Sequence, residues 1–140
     1  METITKSNYI KSILENIAEA IVDDTDIEFP IYHIDSNITD KDNFAVIELD
    51  TLQTDGDFNS WDNGDVISTI TINYLNSNIS ELLSGTQKIL ACLKTNDTLF
   101  DGYNMGIFGG NSGFQILPAY FIRDSKKIPA KTIRFRVISM

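Results

Sequence analysis

The sequence has little of several residues that usually announce chemistry. Cysteine occurs once, at Cys92, histidine once, at His33, and tryptophan once, at Trp61. A lone thiol excludes an internal disulfide, and Cys92 sits in a helical apolar stripe, where it reads as an inert, partly buried group. His33 has no second histidine to share a metal with and no evident nucleophile to serve, and its neighbours Tyr32 and Ile34 suggest a strand position. Long apolar runs are also missing, so nothing reads as a membrane span. Met1 to Lys6 lacks the basic start and apolar block of a signal peptide. The glycines at 106, 109, 110 and 113 lack both the Gly-Lys-Ser/Thr of a phosphate-binding loop and its strand–helix setting. They read as an irregular loop with some positive φ angles.

Basic residues are scarce in one half of the chain only. The formal charge is -9 over 140 residues. Residues 1–65 hold 16 of the 20 acids and 3 of the 11 bases, and most of the bases come late, at Arg123, Lys126, Lys127, Lys131, Arg134 and Arg136. Two solvated faces of opposite sign account for this. So does self-association in which the acidic region of one copy meets the basic region of the next. The acidity of the whole argues against sequence-specific nucleic-acid binding, and the late bases are better matched to another subunit than to phosphate.

The remaining 42% hydrophobic and 22% charged content is that of a globular chain, and the length fits one domain over residues 1–140. Ile10, Ile13, Leu14, Ile17 and Ile21 stripe a first helix over 5–22, which the acids Asp23-Asp24-Thr25-Asp26 close, because carboxylates oppose the dipole at a helix C-terminus. A short strand over 27–34 is held to an edge by Pro30. Residues 44–49 are almost continuously apolar and read as a strand internal to the sheet. Val66 to Leu75 alternates with a period of two and pairs with 44–50 as an antiparallel hairpin across the polar 51–64 connection. A second helix follows, striped by Ile79, Leu82, Leu83, Thr86, Ile89, Leu90 and Leu93. After the glycine-rich 99–113 passage come a strand over 114–122, interrupted by Pro118, a charged turn over 123–127 and a closing strand over 130–139. The order α-β-β-β-α-β-β predicts an α+β fold: a mostly antiparallel, mixed β-sheet with both main helices packed on one face.

Two features of the 51–64 connection invite a site. Asp55-x-Asp57-x-Asn59 resembles the start of a calcium loop, but the sixth position is Ser60 and the twelfth Val66, so the segment reads as a solvated loop and no metal or other cofactor is expected. Trp61 beside it suits either a contact anchor or a ring folded back over the sheet. With the bases at Arg123, Lys126, Lys127, Arg134 and Arg136, the residues Asp55, Asp57 and Trp61 form the expected subunit interface.

The layout as a whole resembles the tail terminator, or tail completion, proteins of long-tailed bacteriophages. The likeness rests on the N-terminal amphipathic helix, the Pro-containing Phe29-Pro30-Ile31-Tyr32, the strands Phe44–Glu48 and Val66–Tyr74, the helix Ile79–Leu93 and the last Arg-Phe-Arg strand, Ile133–Ile138. It implies a virion protein without catalytic residues that assembles as a homo-hexameric ring. Such a ring caps the tail tube protein, ends its polymerisation and meets the head-side connector. The extended 51–64 and 99–113 segments depart from shorter family members and keep another neck, connector or tube component in view. A small metal-dependent enzyme using the Asp-rich loop is the reading from a different class.

Overall fold

The computed structural model describes residues 9–25, 27, 43–54, 66–95, 105–107 and 114–139. Within them the order is α1 (Tyr9–Asp24), β1 (Asn43–Thr54), β2 (Val66–Asn76), α2 (Ile79–Thr95), β3 (Met105–Ile107), β4 (Gln115–Arg123) and β5 (Lys126–Ser139). The expected strand over 27–34 lies outside the described residues except for Ile27, and so does His33.

The pairing of β1 with β2 is antiparallel as the alternation predicts, from Asn43 opposite Asn76 to Thr54 opposite Val66. The long β5 then lies against the other side of β2, with Leu75 opposite Ala130 and Ile67 opposite Ile138. Two strands share the far side of β5: β4 along its first half and β3 along its end. Every described pairing is antiparallel, so the mixed sheet expected from sequence is not seen among these residues. β2 holds the middle, as its pattern suggested, but β1 has only β2 as a described neighbour. The continuous apolar character of β1 matches burial on both faces: Ala45 and Ile47 bury on one, and Phe44 and Val46 on the other.

Period-two alternation sorts the sheet into two faces. Ala45, Ile47, Ile70, Ile72, Tyr74, Ile133 and Phe135 point to one side, where Ile13, Ile17 and Ile21 of α1 and Leu82, Ile89 and Leu93 of α2 complete the main core. Both helices therefore cover the same face, and the fold is α+β. A smaller apolar cluster on the opposite face joins Phe44, Val46, Leu75 and Ala130 to Ala119, Phe121 and Ile128, with the Phe44 and Phe121 rings edge-on at 6.1 Å.

The ends of the helices follow local chemistry. Asn78 caps α2: its side-chain oxygen accepts from the Glu81 amide at 3.2 Å and its carbonyl from the Leu82 amide at 2.8 Å. Helix α1 does not stop before its acids, as expected, but runs through Asp23 and Asp24. Thr25 closes it instead, its amide and hydroxyl both donating to the Ile21 carbonyl while its hydroxyl accepts from the Ile27 amide. Asp24 earns that position by accepting from the Cys92 thiol at 3.2 Å, a bond between the two helices. Burial, and then the Asp24 carboxylate, push that thiol up to about 12, so Cys92 is an inert packing group.

Helix α2 is rotated from the stripe that its large residues suggested. Leu82, Gly85, Thr86, Ile89, Cys92 and Leu93 are buried, whereas Ile79 and Leu83 are exposed. The small residues Gly85 and Cys92 let the helix approach the rest of the core closely, and this outweighs burial of the two larger side chains.

Candidate functional site

The hairpin of β4 and β5 is the feature that departs most from a covered sheet. Its turn is two residues, Asp124 and Ser125, at φ 50° and 64°. Two successive left-handed residues are the geometry of a type I′ turn, which matches the right-handed twist of the flanking strands. Arg123 pairs with Lys126 across it. Ala130 is the first β5 residue to find a partner on β2, so Lys126 to Pro129 pair with β4 alone. At about 3.3 Å per residue, the hairpin projects roughly 13 Å past the end of the β1–β2 pair as an arm.

The two faces of the arm differ. Phe121, Ala119 and Ile128 fold onto the Phe44 cluster. On the helix-side face, Ile116, Tyr120 and Ile122 are left exposed, Tyr120 at 59% and Ile122 at 63%. Four of the seven large hydrophobics that are exposed among the described residues lie on β4, counting Leu117. The strand runs unbroken through Pro118, and among the described residues β4 pairs only with β5, the kind of position where a missing backbone donor is tolerated. Lys127 lies over the Tyr120 ring, 4.8 Å from its centroid, and Lys126, exposed beside the turn at register with Arg123, stands on the opposite face by the strand's alternation. The arm thus offers an apolar ridge with one ammonium group over it, at Lys127, and a second at its tip, at Lys126.

The bases singled out from the sequence do not form one patch. Arg123, Lys126 and Lys127 gather at the arm tip. Arg134 and Arg136 lie roughly 25 Å further along β5, on the face turned away from the helices, at register with Thr71 and Thr69 of β2. There Arg134 has a partner within its own chain: its Nε is 3.7 Å from the carboxylate of Asp50. Asp50 is the extra residue of a bulge between Leu49 and Thr51, and it also accepts a hydrogen bond from the Thr71 hydroxyl. Trp61, Asp55 and Asp57 lie outside the described residues. No group of three or more metal-ligating side chains occurs among the described residues, and no helix there is long and apolar enough to cross a membrane.

The exposed ridge of Ile116, Tyr120 and Ile122 was missed in the sequence. Its signal is that residues 116–122 are apolar at both parities, while the helices and the Phe44 cluster do not cover both faces of β4. At the other end of the described strands, α1 packs over β1 and turns Glu19, Val22 and Asp23 to solvent on one face. Its last turn holds no basic residue. No protein-family model matches the chain, and no curated protein matches it.

Proposed function

We propose that this chain is a non-enzymatic structural protein of a long-tailed phage virion, a tail terminator that assembles with copies of itself into a ring. The ring caps the tail tube, ends its polymerisation and meets the head-side connector; six copies are expected, as in the family that the layout resembles. The observation that carries this reading is the β4–β5 arm, an apolar and basic projection at one side of the described sheet, whose other side carries the acidic end of α1. A surface of this kind is costly on a protein that stays alone, since exposed apolar ridges invite association. Complementary ends on one molecule give a heterologous contact, which closes into a ring when the rotation permits.

Light scattering on the purified protein at about 0.1 M salt, where long-range repulsion is largely screened, tests the assembly, and negative-stain imaging tests its form. A closed ring is expected. A protein that keeps the mass of one chain at high concentration overturns the reading, and long filaments would replace the terminator with a tube subunit.

A further inference from the structure

We infer that the arm of one copy docks on the outer face of α1 of the next, with Tyr120 and Ile122 against Val22 and with Lys126 and Lys127 beside Glu19 and Asp23. This rests on the ring reading above and names the two surfaces that make its contact.

The two surfaces match in kind. Glu19, Val22 and Asp23 recur at the i, i+3, i+4 spacing that lines one helix face, and all three are exposed. The face sets an apolar side chain, Val22 at 47% exposure, alongside two carboxylates one turn apart. The arm is an apolar ridge with the Lys127 ammonium over it and the Lys126 ammonium at its tip. The position of the acids strengthens the attraction. They occupy the second half of α1, where the unpaired carbonyls already give the helix end about half a negative charge. With no base in the last turn, the field there is negative from both sources, and the acids cost α1 stability locally. A cation supplied from outside relieves that cost.

Placement within one molecule keeps the two surfaces apart. Among the described strands, the order sets α1 over β1 on one side and the arm on β4 on the other, with β2 and β5 between. Three strand spacings are roughly 14 Å, well beyond the ~4 Å of an ion pair. Opposite edges carrying complementary surfaces are the arrangement that joins copies head to tail.

Charge exchange tests the contact. One variant carries Lys126→Glu and Lys127→Glu, a second carries Glu19→Lys and Asp23→Lys, and a third carries all four substitutions. All four positions are exposed, so the fold has little reason to change. Self-association at about 0.1 M salt should fall at least tenfold in each of the first two, and the third should recover the mass of the unmodified assembly. Because the third restores every pair, the recovery does not depend on ring size. Unchanged assembly in the first two variants overturns the contact and leaves the ring reading standing. Failure of the third to recover also overturns it. A single-chain mass for the unmodified protein removes both.

Discussion

At Gly85 one missing methyl group sets how close α2 lies to the sheet. A Cβ built there would fall 2.7 Å from Cε2 and Cζ of Tyr74, and closer still to its Oη. The ring cannot easily move aside. Its hydroxyl donates to the Asn43 side chain at 2.9 Å and accepts from the Asn76 amide at 3.2 Å, and burial raises its pKa against the opposing pull of Asn76. Asn76 in turn accepts from the Asn78 amide at 2.9 Å, so the ring, the end of β2 and the cap of α2 form one network. Alanine normally gains about 1 kcal/mol over glycine inside a helix. Here overpacking of roughly 1–3 kcal/mol should exceed that gain, and Gly85→Ala should lower the urea midpoint. The same substitution in a Tyr74→Phe background should cost less, because the nearest atom is gone; equal costs in both backgrounds would point to another cause.

Among the elements, the arm depends on a turn of two residues, neither of which is glycine. Holding an L-residue in the left-handed region costs about 1–2 kcal/mol; glycine relieves that cost but loses part of the gain to its freer unfolded chain. Ser125→Gly should therefore raise stability by roughly 0.5 kcal/mol in urea unfolding; a loss would mean that the turn is not the type I′ form that its angles describe. This turn also illustrates what the sequence could show. The 123–127 turn, the β1–β2 hairpin and both helices were legible, because period two, period 3.6 and turn residues are local signals. The covered face of α2 was not, since Ile79 and Leu83 outrank Gly85 in hydrophobicity, while approach distance is a property of the partner. That β1 has only β2 beside it among the described residues was not legible, because burial on both faces reads the same as a neighbour on both sides. Of the candidate site, the bases were plain. The apolar ridge beside them was not, since exposure depends on where the helices end. Arg134 stood among the bases with nothing to reveal that the bulge at Asp50 would bring it a partner from its own chain.

For the molecule as a whole, two electrostatic effects of opposite sign act on association, and their ranges differ. Copies carrying a net charge of -9 repel one another over the distance between their centres. The pairs between the arm and α1 attract only across the contact. At about 0.01 M salt the screening length is about 30 Å and the repulsion reaches between molecules; at about 0.1 M it is about 10 Å, and most of the repulsion is gone. Near 1 M it is about 3 Å, short enough to weaken the contact pairs themselves. Association should therefore be strongest at intermediate salt and fall on either side. Light scattering across that range reads it directly. A contact held by apolar burial alone would instead strengthen steadily with salt, sulfate above all, since excluded salts favour burial. A maximum near 0.1 M with chloride salts, absent when Lys126 and Lys127 are replaced by glutamine, would assign the attraction to the arm. A steady rise in both proteins would leave the ridge of Tyr120 and Ile122 as the main source of the contact.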